Sequence, residues 1–142
     1  MINLRHVGII VRDIEKAYTL YRDVFGFEPK QDQVEQGDFY EHLTGLKSGI
    51  ARTSKCYSED GTCVELIEYQ TQDPVDRHKD LTSDGVNHIC LNIDDVDAMY
   101  EKLLSMGLEF INPPRVNPTG LVKVAFCRDF EGNLIELTQT LS

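Results

Sequence analysis

Two histidines and two glutamates fall at matching places in what reads as one module written twice. His6 opens an apolar run that leads through Asp13 into an amphipathic segment stopping at Gly26; His88 opens another that leads through Asp95 into a segment stopping at Gly107. Downstream, Asp60-Gly61-Thr62-Cys63-Val64-Glu65-Leu66 returns as Glu131-Gly132-Asn133-Leu134-Ile135-Glu136-Leu137, with a glycine four residues ahead of a glutamate both times. Imidazole nitrogens and carboxylate oxygens are donors that divalent cations take, and one pair from each copy would make a pseudo-twofold site with four protein ligands. The expected metal ligands are therefore His6, Glu65, His88 and Glu136.

The elements that must carry them can be read in order. Leu4 to Val11 is a short β-branched run, expected as a strand, followed by Asp13 as a helix cap and by Ile14, Ala17, Tyr18, Tyr21, Val24 and Phe25 at helical spacing, with Gly26 as the stop. Phe27 to Val34 reads as a weaker strand and Gly37 to Gly45 as a short helix. Ile50 to Tyr57 and Thr62 to Tyr69 form a hairpin around Asp60-Gly61. Residues 70 to 85 have no periodicity and read as a linker. The second copy repeats the order: strand Val86 to Ile93, cap at Asp94 or Asp95, a stripe of Val96, Met99, Tyr100, Leu103 and Met106, and a stop at Gly107. A short strand near Glu109 to Ile111 precedes a loop with Pro113, Pro114 and Pro118, and Leu121 to Cys127 pairs with Leu134 to Thr140. The fold class is α+β: a single domain over 1–142 made of two βαβββ modules, 1–69 and 86–142, joined by the linker 70–85.

Strand alternation assigns faces. His6, Gly8 and Ile10 lie opposite Val7, Ile9 and Val11, and the uninterrupted β-branched face belongs under the helix. By the same parity His88, Glu65 and Glu136 point away from the helix layer, whereas Glu68 shares the helix side and is left out as a ligand. A glutamate in mid-strand on a half-buried face is costly without a positive partner, and two at equivalent positions require a cation.

Composition narrows the partners. The 142 residues suffice for one domain with a sizeable core. With 24 acidic against 14 basic residues, a net charge of −10, the field repels nucleic acid and anionic membrane. No apolar run is long enough to span a bilayer and the N-terminus lacks a signal-peptide pattern, so a cytoplasmic location is the expectation. Cys56, Cys63, Cys90 and Cys127 show no Cys-x-x-Cys spacing and are expected as reduced core residues.

The chain resembles the vicinal oxygen chelate superfamily, the glyoxalase, bleomycin-resistance and extradiol dioxygenase group, over essentially its whole length. The resemblance lies in His6-Val7-Gly8-Ile9-Ile10-Val11, Tyr21-Arg22-Asp23-Val24-Phe25-Gly26-Phe27, Gly85-Val86-Asn87-His88-Ile89 and Asp129-Phe130-Glu131-Gly132-Asn133-Leu134-Ile135-Glu136-Leu137. It implies a glyoxalase-like fold, an eight-stranded cup around a divalent metal, closed within one chain or across a homodimer. It also implies that His6, Glu65, His88 and Glu136 correspond to the four ligands of glyoxalase I, with nickel, cobalt, zinc, manganese or iron as the cation.

What the resemblance implies for activity is a lactoylglutathione lyase-like lyase or isomerase acting on a small oxygenated substrate: the metal steadies an enediolate or enolate while Glu136, or second Glu65, moves the proton. Three alternatives stand beside it. An Fe(II) extradiol-type dioxygenase would use only His6, His88 and Glu136; a methylmalonyl-CoA-type epimerase would usually carry Gln in place of Glu65; a non-catalytic binding protein would lack the metal set. Among other polar residues, His42 and His78 are expected as solvent histidines. Tyr40, Arg52, Arg115 and Lys123 are equally surface residues or contacts for an anionic substrate, and Asn92 shares the parity of His88.

Overall fold

The computed structural model describes residues 1–75 and 80–142, and the chain divides into two compact units, Met1–Asp76 and Arg77–Ser142. The first unit runs β1 (Val7–Ile10), α1 (Ile14–Tyr21), β2 (Glu28–Glu35), α2 (Asp38–Thr44), β3 (Ala51–Tyr57) and β4 (Cys63–Tyr69); the second runs β5 (His88–Asn92), α3 (Val96–Ser105), β6 (Arg115–Val116), β7 (Val122–Arg128) and β8 (Leu134–Thr140). Each unit has a four-stranded sheet, ordered β1-β4-β3-β2 and β5-β8-β7-β6, with the first strand parallel to the last and the remaining neighbours antiparallel. The α+β class with two βαβββ modules is thereby established. Residues 70–75 and 80–85, the described part of the expected linker, carry no helix or strand.

Each module builds its helix layer with the same devices. Asp13 caps α1 by accepting from Lys16 N, and Asp95, not Asp94, caps α3 by accepting from Ala98 N. A strand side chain adds a second cap: Glu68 Oε2 accepts from Ile14 N at 2.7 Å, and Gln139 Oε1 from Val96 N at 3.0 Å. Beneath α1, which packs on β4, Ile9, Val11, Val64 and Leu66 are buried with Ile14, Ala17, Tyr18, Leu20 and Tyr21. Beneath α3, which packs on β7 and β8, Ile135 and Leu137 are buried with Val96 and Leu103.

Several expected boundaries move. α1 ends at Tyr21, and turns carry the chain on to Gly26, whose φ of 78° lies in the left-handed region. There Val24 N and Phe25 N both bond Leu20 O, which departs from the α ladder. α3 stops more sharply: Gly107 N bonds Leu104 O and Leu108 N bonds Leu103 O, a Schellman closure. The strand expected near Glu109 to Ile111 is only a bridge between Phe110 and Cys127, and the edge strand proper is Arg115–Val116. Pro113 and Pro114 lack the N–H that a continuous ladder needs. Among the described residues no helix is long and apolar enough to cross a membrane.

Candidate metal centre

The register of the two parallel strand pairs is the same. In the first unit Gly8 pairs with Glu65 and His6 lies two residues before Gly8; in the second Cys90 pairs with Glu136 and His88 lies two residues before Cys90. Because side chains alternate, a residue two places away stays on the same face, so each histidine meets its own glutamate on the face away from the helix. His6 Nε2 stands 3.9 Å from Glu65 Oε2, and His88 Nε2 stands 2.9 Å from Glu136 Oε2.

The two pairs differ in how they are satisfied. Asn87 Nδ2 donates to Leu81 O at 2.9 Å, which turns its carbonyl oxygen toward His88 Nδ1 at 2.7 Å. Both ring nitrogens of His88 thus face oxygen acceptors, so a proton or a cation must lie between Nε2 and Glu136. The ring is held laterally by Phe126, edge-on at 5.0 Å between centroids. His6 lacks such support: its Nδ1 is buried with no partner, and 3.9 Å is beyond a hydrogen bond to Glu65. That gap leaves both atoms free to turn toward an ion, whose neighbouring ligands at about 2.1 Å would stand about 3 Å apart. Lys55 Nζ lies 3.5 Å from the same Glu65 oxygen. The donors fit a divalent cation of mixed nitrogen and oxygen preference. Among the described residues no group of three or more His, Cys, Asp or Glu side chains clusters closely enough to hold one.

The remaining expected residues sort by their contacts. Glu68 is committed to the α1 N-terminus. Arg52 binds Asp32 through Nε and Nη2 and reaches Glu15, and Lys123 pairs with Asp97, so both are held within their own units. Tyr40 is buried instead of lying at the surface, with burial and its hydrogen bond to Tyr69 pushing its hydroxyl up to about 12. Arg115, His42 and Asn92 are exposed, and His78 lies outside the described residues. Cys56, Cys63 and Cys127 are buried free thiols, but Cys90 is exposed, contrary to the core placement expected of it. It sits at the alternate position of β5 that faces away from α3. Lys55 and Asn87 went unnoticed in the sequence. The register of the 58–61 hairpin, which sets Lys55 opposite Glu65, would have exposed the first, and adjacency to His88 was the only signal for the second.

Known proteins resemble this chain in sequence and fold. The chain is 28% identical to methylmalonyl-CoA epimerase, mitochondrial, of Dictyostelium discoideum, over 96% of this chain and 77% of that protein. It is 25% identical to a probable lactoylglutathione lyase of Synechocystis, over 98% of this chain and 96% of that one. A crystal structure of a glyoxalase family protein from Bacillus cereus superposes with a TM-score of 0.91 at 21% identity, covering 100% of this chain and 96% of the other. The fosfomycin resistance protein FosX from Listeria monocytogenes, in its crystal structure with Mn(II) and sulfate, superposes at 0.64 and 21% identity over 99% and 95% of the two chains. Residues 3–137 match a single family model, and on that match the chain belongs to the Glyoxalase/Bleomycin resistance protein/Dioxygenase superfamily.

Proposed function

We propose that this protein is a metal-dependent lyase or isomerase of the glyoxalase I type. In this reading His6, Glu65, His88 and Glu136 hold one divalent cation, within one chain or between two copies in a homodimer, and a small oxygenated molecule is the substrate. The observation that carries it is the His–Glu pairing repeated in the same strand register, each Nε2 turned to a carboxylate oxygen. The Mn(II) in FosX, and the similarity to an epimerase and to a probable lactoylglutathione lyase, support it.

When bound, the cation supplies Lewis acidity that steadies negative charge developing on vicinal oxygens of the substrate. Glu136 moves the proton between neighbouring carbons, since its Oε1 has only a long contact to Thr138 Oγ1 at 3.5 Å while Oε2 faces His88. Glu65, with both His6 and Lys55 beside one oxygen, is the second choice. Asn87 orients the His88 ring.

Return of the proton to its own carbon would make the same site an epimerase, and the Dictyostelium relative favours that as the second reading. A dioxygenase would leave Glu65 without a ligand role. The test is elemental analysis of the purified protein, followed by assay of the metal-loaded protein with methylglyoxal and glutathione and by solvent deuterium incorporation into acyl thioesters. Stoichiometric metal with either proton-transfer activity is expected. Absence of metal binding, or turnover only with oxygen and Fe(II), would overturn the reading.

A further inference from the structure

The ligand-bearing faces of the two sheets match in register but differ in the residue beside the glutamate. Lys55 faces Glu65 across β3 and β4, whereas Phe126 faces Glu136 across β7 and β8. The lysine side chain is 24% exposed, so its stem packs along the sheet while Nζ stays 3.5 Å from Glu65 Oε2. An ammonium set opposite an expected metal ligand has two situations to satisfy. Without a cation it offsets the Glu65 charge. Once a divalent cation takes up Glu65, the ammonium keeps its charge and its three donors and needs a new acceptor on that face. A divalent cation, two carboxylates and one ammonium leave one net positive charge, which favours an anionic oxygen ligand over a neutral one.

We propose that Lys55 is the anion-recognition residue of this site, so that the protein takes a vicinal-oxygen substrate bearing a negative group, of the 2-hydroxy or 2-oxo carboxylate class. This rests on the metal reading above. Phe126, at the matching place in the second sheet, offers no counterpart charge and packs on His88.

The test uses full-length protein loaded with Mn(II), whose effect on water proton relaxation reports displacement of metal-bound water. Two probes of nearly the same shape are titrated: glycolate, an anion, and glycolamide, which is neutral. Lys55→Met is expected to bind glycolate at least tenfold more weakly than wild type while glycolamide affinity and Mn(II) stoichiometry stay unchanged. Lys55→Arg is expected to keep glycolate affinity within about threefold, because the charge is retained. Mn(II) bound as in wild type with glycolate affinity unchanged, or with both probes weakened equally, overturns the role of Lys55 alone. A wild type that binds no Mn(II) overturns the metal reading, and this proposal with it.

Discussion

Glu68 Oε2 accepts the backbone N–H of Ile14 at 2.7 Å, which commits the acid three residues beyond Glu65 to the N-terminus of α1. In the second unit Gln139 does the same for Val96 at 3.0 Å, so a neutral amide serves the role as well as a carboxylate. Glu68→Gln should therefore cost only the charge–dipole part, a few tenths of a kcal/mol. Glu68→Ala, which leaves the Ile14 N–H short of its partner, should cost about 1 kcal/mol. Urea unfolding midpoints of the two variants check this, and equal losses would remove the capping account. Neither variant should alter metal content.

Tyr18 predicts an alkaline limit to stability. Its hydroxyl lies among Ser54 Oγ at 2.6 Å and Asp32 Oδ2 at 2.7 Å, and burial first, with the Asp32 charge assisting, pushes it from its ordinary value near 10 up to about 12. A group raised on folding contributes stability fully below its unfolded value and loses it as pH climbs through the folded one. Unfolding free energy should therefore fall between pH 10 and about 12 as the unfolded chain releases the proton first. Tyr18→Phe should flatten that fall while lowering stability at neutral pH, because Asp32 and Ser54 lose a partner. Asp32 acts in the opposite sense: Arg52 holds its carboxyl below the usual range, so its contribution is present above that range and lost in acid.

The cysteines give a chemical check. Cys90 is the exposed thiol among the four free ones, and it pairs with Glu136 across β5 and β8. Under native conditions one thiol per chain should react promptly with a disulfide reagent, and Cys90→Ser should abolish that fast phase. Saturating Mn(II) should slow it, since a cation held by Glu136 crowds the same stretch of strand. Prompt reaction of two or more thiols would contradict the burial of Cys56, Cys63 and Cys127.

Local signals made most of the fold legible. Asp13 and the Asp94-Asp95 pair announced their helices, Asp60-Gly61 its hairpin, and alternation in 6–11 and 63–69 separated Glu65 from Glu68. These readings succeed because caps, turns and strand parity depend on neighbours in the chain. What failed depends on partners further away. Around 109–111 only the Phe110–Cys127 bridge forms, Pro113 and Pro114 interrupt the ladder beyond it, and the edge strand resumes at Arg115–Val116; Cys90 surfaced because its face of β5 is uncovered in this unit. Lys55 and Asn87 were missed for a related reason. Their roles arise from cross-strand register and from a loop carbonyl at Leu81, neither of which belongs to any motif.

The division of labour between His88 and Glu136 can be separated by substitution. His88 is braced on Nδ1 by Asn87 and by a T-shaped contact with Phe126, with Nε2 at 2.9 Å from Glu136 Oε2. Removing the ring should chiefly remove metal affinity, so His88→Ala should emerge from purification with little bound metal and correspondingly little activity. Glu136→Gln keeps an oxygen donor but cannot accept the substrate proton. It should retain a substantial share of the metal and lose activity by about 10²- to 10⁴-fold, the usual worth of a positioned general base. Asn87→Ala tests the support for the ring: metal affinity should drop by about 10- to 100-fold with activity at saturating metal largely kept. Metal content by elemental analysis and turnover at saturating metal distinguish the three. Wild-type turnover in metal-loaded Glu136→Gln would move the proton-transfer role to Glu65, whose own Gln substitution should then show the loss.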